Sequence, residues 1–163
     1  MNTQGMNLFI VDDNKLMVAA LRNYLNNRFG KDINISTFHS GECALEKVDK
    51  ETNMVILDYF LEGENGNDVL MSIKKINPKT EVIMLSSNED MAIAVESFQK
   101  GATDYVIKGE GAWKMVSSSV FKVIIYPVNM MVKEWGVNKY LAMFISTFAV
   151  MGTLVYCALR FIR

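Results

Sequence analysis

Four short runs, Leu8-Phe9-Ile10-Val11, Met54-Val55-Ile56-Leu57, Val82-Ile83-Met84-Leu85 and Asp104 to Ile107, stop abruptly on a residue that can carry chemistry. The stops are Asp12-Asp13, Asp58, Ser86 and Lys108. Nearly unbroken apolar runs of this length suit strands buried on both faces, as in a parallel sheet covered by helices. A fifth run, Ile33 to Phe38, is β-branched and alternating. Amphipathic segments lie between the runs. Met17, Leu21 and Leu25 fall at helical spacing before Gly30, and Gly41 to Val48 reads as a short helix. Asn67 to Ile76 reads as a helix ending before Pro78, and Met91, Ala94, Val95, Phe98 and Ala102 mark the fourth, with Gly101 near its end. Trp113, Val116, Val120, Val123 and Ile124 mark the fifth, closed by Pro127. Strand and helix alternate throughout, so the expected fold class is α/β, with five βα units around a five-stranded parallel sheet.

In an open parallel sheet, side chains at the carboxyl ends of the strands share one crevice. That rule brings Asp12, Asp13, Asp58, Ser86 and Lys108 together. Carboxylates crowded at one edge repel, and a divalent cation relieves the repulsion. Oxygen donors with no Cys or His beside them favour Mg²⁺, with Mn²⁺ as the alternative. With such an ion present, one carboxylate can act as a nucleophile toward phosphorus, while Lys108 and Ser86 hold phosphoryl oxygens. Taken singly, each residue has a plainer reading. Asp13 or Asn14 would serve as the N-cap of the first helix, and a loop Ser or Lys is usually solvated. The order of the four strand ends is what carries the inference.

Charge is unevenly distributed. Residues 1–110 contain 11 Lys or Arg against 17 Asp or Glu, and residues 111–163 contain 6 against 1. An acidic body lacks the clustered cations that a phosphate backbone demands, so no nucleic-acid partner is expected. Cys43 and Cys157 lie in segments of different kind, which suggests neither a disulfide framework nor a metal site. Cys43 is expected to be packed within its helix. The single histidine, His39, follows the second strand and is read as a loop residue away from the acidic edge. The N-terminus has no basic region and its apolar run is too short for a signal peptide, so the body is expected in the cytoplasm.

The segments IVDDNKLMVAALRNYL, VILDYFLEGENGNDVL, VIMLSS and GATDYVIK together resemble the receiver domain of bacterial two-component response regulators, in register over residues 6–126. The resemblance implies a doubly wound, flavodoxin-like sheet of order 2-1-3-4-5, for which a receiver-family protein is itself a standard example. It implies Asp58 as the phosphoacceptor and Asp12 and Asp13 as the acidic pair. Asp13, Asp58 and the backbone carbonyl of Phe60 would hold Mg²⁺. Ser86 and Lys108 match the family's hydroxyl and lysine, and Tyr105 its switch aromatic. The implied phosphodonor is a histidine kinase or phosphotransfer protein. The implied output is a changed surface around the fourth helix, fifth strand and fifth helix, read by a downstream protein. The chain is then no enzyme, but a phosphoacceptor that assists its own phosphorylation and dephosphorylation.

Two positions depart from the family pattern: Glu62 stands where Pro is usual, and Gly109 where Pro often follows the lysine through a cis bond. A non-proline cis bond costs about 3–4 kcal/mol, so a trans bond or a displaced Lys108 is expected. Phe60 and Asn88 occupy positions that tune phosphoryl lifetime in the family. A constitutive receiver-fold scaffold, or an oligomerising module whose apolar tail packs against a partner, is the alternative, and the intact site residues argue against the scaffold. An aspartate-based phosphohydrolase would place a second acid two residues after the nucleophile, where this chain has Phe60.

The domain plan is a receiver over 1–127, a linker over 128–139 and an apolar helix over 140–159. Tyr140 to Leu159 carries no charge. At about 1.5 Å per residue it would span ~30 Å, the thickness of a bilayer's hydrocarbon core. Lys139 and Tyr140 on one side, and Arg160 and Arg163 on the other, suit interfacial anchoring. The expectation is a transmembrane helix tethering the receiver to the bacterial inner membrane. Ala142, Ser146, Ala149, Thr153 and Cys157 form a stripe of small residues that would allow a homodimer through the membrane.

Overall fold

The computed structural model describes residues 5–134, 143, 146–148 and 150–152, with residues 126–134 described by backbone alone. Contacts divide the chain into two compact units, residues 1–124 and 125–163. The first is built on strands β1 (Met6–Val11), β2 (Ile33–Phe38), β3 (Thr52–Asp58), β6 (Glu81–Ser86) and β7 (Asp104–Ile107), all parallel in the order β2-β1-β3-β6-β7. Counting sheet strands alone, this is the expected order 2-1-3-4-5. Two-residue strands β4 (Phe60–Leu61) and β5 (Glu64–Asn65) form a small antiparallel hairpin directly after β3.

The apolar runs divide between two cores by alternation. Leu8, Ile10, Met54, Ile56, Ile83 and Leu85 face helices α1 (Lys15–Phe29) and α5 (Ala112–Glu134), meeting Leu21, Leu25, Val116 and Val120. Phe9, Val11, Val55, Leu57, Val82 and Met84 face the other way, toward α2 (Gly41–Leu45) and α3 (Gly66–Ile76), meeting Ala44, Val69, Leu70 and Ile73. Both faces of β1, β3 and β6 are thus dry, which is why those strands read as continuous apolar runs. Asn14 caps α1 by accepting from the Leu16 and Met17 amides, and Gly30 closes it at φ +53°.

At the amino ends of the strands, side-chain donors close the loops onto backbone carbonyls. Asn77 Nδ2 donates to the carbonyls of Asp49 and Thr52 at 3.1 and 3.3 Å, and Thr80 Oγ1 donates to Thr52 O at 2.8 Å. Lys74 Nζ donates to Thr80 O at 2.7 Å.

Several sequence expectations are corrected. Helix α2 ends at Leu45, short of Val48, which is nevertheless buried. Cys43 is exposed, because Gly41 and Ala44 supply the buried side of this short helix. In α4 (Met91–Gln99) the expected stripe is split: Met91, Val95 and Phe98 are exposed, Ala94 is half-buried, Ala102 lies beyond the helix end in the core, and the buried residue of the helix is Ser97. Helix α5 continues through Pro127 to Glu134. Proline removes one intrahelical hydrogen bond, but no glycine follows before Gly136 to offer a stop.

Among the described residues, no helix is long and apolar enough to cross a membrane. Most of the 140–159 stretch expected to do so lies outside the described residues, as do Ala142, Ala149, Thr153 and Cys157 of the small-residue stripe.

Candidate functional site

Because β1, β3 and β7 are parallel and in register, their carboxyl ends deliver Asp12, Asp58 and Lys108 to one crevice. Lys108 Nζ donates to Asp12 Oδ2 at 2.8 Å and to Asp58 Oδ2 at 2.7 Å. Asp12 and Asp58 are 2% and 4% exposed, so the two carboxylates share one ammonium away from water. Burial pushes the Asp58 carboxyl above its ordinary range, outweighing the hydrogen bond and charge of Lys108 that oppose it, with Asp12 adding repulsion. Burial works against the charged form of Lys108 as well. Its hydrogen bonds to Asp12 and Asp58, with their charges, nevertheless hold it above the usual lysine range. The remaining carboxylate oxygens are anchored by backbone: the Asn14 amide donates to Asp12 Oδ1 at 2.8 Å, and the Phe60 amide to Asp58 Oδ1 at 3.3 Å. The Lys108–Gly109 bond is trans, and Lys108 reaches both carboxylates without the bend of a cis bond.

Ser86, fully buried at the end of β6, heads a second set of contacts. Its Oγ accepts from the Asn88 amide at 3.0 Å. The Asn88 carbonyl accepts from Tyr105 OH at 3.0 Å, and Asn88 Oδ1 accepts from the Asp90 amide at 2.8 Å. Asp90 in turn caps α4 through the Ala92 amide. One short loop therefore ties the Ser86 hydroxyl to the orientation of Tyr105 and to the first turn of α4. Tyr105 itself is half-buried.

The sequence profile of the response regulator receiver domain matches residues 8–119, well over half of the chain. The chain belongs to this family. Over 100 residues it is 30% identical to the regulatory protein LuxO of Vibrio cholerae, covering 61% of this chain and 21% of LuxO. It is 30% identical over 115 residues to the DNA-binding transcriptional activator EvgA of Escherichia coli, covering 69% of this chain and 55% of EvgA. The chain thus spans about a fifth to a half of these relatives. The signal receiver domain of a putative Luxo repressor protein from Vibrio parahaemolyticus superposes with a TM-score of 0.67 at 22% identity, over 78% of this chain and 97% of that one, and shares its fold.

In this receiver, Asp12, Asp13 and Asp58 each bring a carboxylate oxygen to within 4.8 Å of the others. The donor set is all oxygen, and Asp58 is buried against its own ionisation, so the pocket fits a divalent cation. These three side chains would hold it, and a bound cation would supply charge neutralisation for phosphoryl oxygens.

Several residues that shape the receiver site were not evident from the sequence. A Cβ on Gly66 would lie 2.5 Å from the Asp58 carbonyl oxygen and 2.7 Å from Tyr59 Cα, so α3 starts hard against the end of β3. The Glu64 carboxylate accepts from the amides of Gly41 at 2.6 Å and Glu42 at 3.1 Å, serving as a cap for α2. Glu62 and Gly63 form the two-residue turn of the β4–β5 hairpin, with Gly63 at φ +78°, the sign that type II turns need at their second central residue. His39 is not remote from the acidic edge: its Nδ1 lies 3.2 Å from the Asp12 carbonyl oxygen, because β2 and β1 end side by side. Across the α3–α4 contact, buried Ser97 donates to Asn67 Oδ1 at 2.9 Å. A polar residue at a helix's inward position was the available signal for this pair.

Proposed function

We propose that this protein accepts a phosphoryl group on Asp58 from a phosphohistidine on a histidine kinase or phosphotransfer protein, with Mg²⁺ held by Asp12, Asp13, Asp58 and the Phe60 carbonyl. The observation that carries the reading is the bridging of buried Asp12 and Asp58 by Lys108. An Asp58 carboxylate oxygen attacks phosphorus, the P–N bond breaks, and the electron pair leaves with the imidazole. As charge on Asp58 passes into the acyl phosphate, the Lys108 ammonium follows it onto a phosphoryl oxygen. Ser86 turns its hydroxyl from the Asn88 amide toward another phosphoryl oxygen. Release of that amide loosens the carbonyl to which Tyr105 is bonded, and the loop that caps α4 shifts with it. The protein acts as a switch rather than an enzyme, moving between two packings of this loop.

The downstream surface is the outward face of α4 and β7, where Met91, Val95, Phe98 and Ile107 are exposed. An apolar group of this kind suits a protein partner. The test is phosphoryl uptake from a small-molecule phosphodonor with Mg²⁺. Uptake that persists in Asp58→Ala would overturn the assignment.

We also infer that residues 140–159 tether the receiver to the inner membrane. In support, Met143, Phe148, Val150 and Met151 are helical and 59–66% exposed. Alkaline carbonate extraction of expressing cells checks it: a tethered chain stays with the membrane pellet, and full release would end this reading without touching the first.

A further inference from the structure

Helix α1 is anomalous for its setting. In a body with an excess of acids, its fifteen residues include Lys15, Arg22 and Arg28 and no Asp or Glu. Lys15 sits in the first turn, where the helix dipole disfavours a cation. Residues 15, 22 and 26 fall on one side of α1 at intervals of seven and four, and that side overlooks the end of β2. There they line an open groove of about 460 Å³ with Asn23, Thr37 and His39. The side chains of Lys15, Arg22, Asn23 and Asn26 make no hydrogen bond or ion pair with another described residue. The groove is open to solvent, so a ligand there is held by its charges and not by enclosure. Lys15 and Arg22, two helical turns apart, are about 10 Å apart along the axis. A guanidinium presents a planar fork that matches phosphate oxygens, and the amides and the Thr37 hydroxyl can hold a polar body between the cations.

We infer that the α1–β2 groove is a binding site for a small phosphate ester or anhydride bearing more than one anionic group, separate from the Asp58 pocket. Arg22 and Lys15 clasp its charged ends, and Asn23, Asn26 and Thr37 meet its polar middle. His39 forms the end wall, where its contact with the Asp12 carbonyl links the groove to the acidic pocket.

The test is titration of the full-length protein, without Mg²⁺, with inorganic pyrophosphate, adenosine diphosphate and succinate, followed by amide chemical shifts. The expected result is saturable shifts at Arg22, Asn23, Asn26 and Thr37 with the two phosphate probes, at least about tenfold weaker in Arg22→Gln. Arg22→Gln should keep its phosphoryl uptake on Asp58, showing that it folds. Shifts confined to the Asp12–Asp58 pocket, unchanged binding in both Arg22→Gln and Lys15→Gln, or succinate binding as tightly as pyrophosphate would overturn the proposal.

Discussion

The two ends of the same sheet are held by opposite means. At the amino ends, Asn77, Thr80 and the Lys74 ammonium close the loops with hydrogen bonds to backbone carbonyls, and each donor meets a neutral acceptor. At the carboxyl ends, two buried carboxylates lean on one ammonium, and burial disfavours the ionised form of Asp58. Such satisfied bonds stabilise the fold. A charged cluster with more negative than positive groups stays poised to accept another ligand. The difference teaches that the amino ends of the strands serve stability alone, whereas at the carboxyl ends the groups that hold the fold are also the ones proposed to react.

Substitutions can separate them. The largest effect is expected from Asp58→Asn, which should abolish phosphoryl uptake, measured with a labelled phosphodonor, while leaving urea unfolding at least as unfavourable as in the wild type. Lys108→Met strands two buried carboxylates and should destabilise the fold by about 3 kcal/mol, the low end for a broken buried pair because Lys108 is partly exposed. Added Mg²⁺ should restore much of that loss in the same unfolding titration. Gly66→Ala forces α3 away from the Asp58 carbonyl and should cost roughly 1–3 kcal/mol, as overpacking does. It should also slow uptake, uniting the two effects at one position. Asn77→Ala removes the donor from the opposite end and should cost about 1–2 kcal/mol with uptake unchanged.

The smallest effect concerns pH. A carboxyl whose folded pKa lies above its unfolded value binds more protons folded than unfolded. Its contribution therefore declines as pH rises from the ordinary aspartate value of 3.8 upward. In Mg²⁺-free buffer, the stability of Asp58→Asn relative to wild type should increase over that interval. A flat difference would mean that Lys108 compensates Asp58 fully.

The sheet was legible because strands dry on both faces leave apolar runs that nothing else in a chain of this kind explains, and the runs end on the site residues themselves. Asp12 and Asp58 were therefore found by position alone, whereas Lys108 follows an edge strand with Ile107 exposed, and its place rested on the order of the strand ends. Helix faces were harder to read. Periodicity shows that Met91, Val95 and Phe98 share a stripe, but not whether the stripe meets a core or solvent, and here Ser97 faces inward instead. His39 and Glu64 were missed for a related reason. Both act on backbone groups of distant segments, and backbone partners leave no complementary residue in the sequence to find.

The Glu64 contact has one more implication. The hairpin that begins at Phe60, two residues after Asp58, supplies through Glu64 the acceptors for the first two amides of α2. Any displacement of the hairpin when Asp58 is modified must withdraw those acceptors. The amides of Gly41 and Glu42 would then exchange with deuterium faster, so that a five-residue helix packed on β1, β2 and α3 reports the chemical state of Asp58.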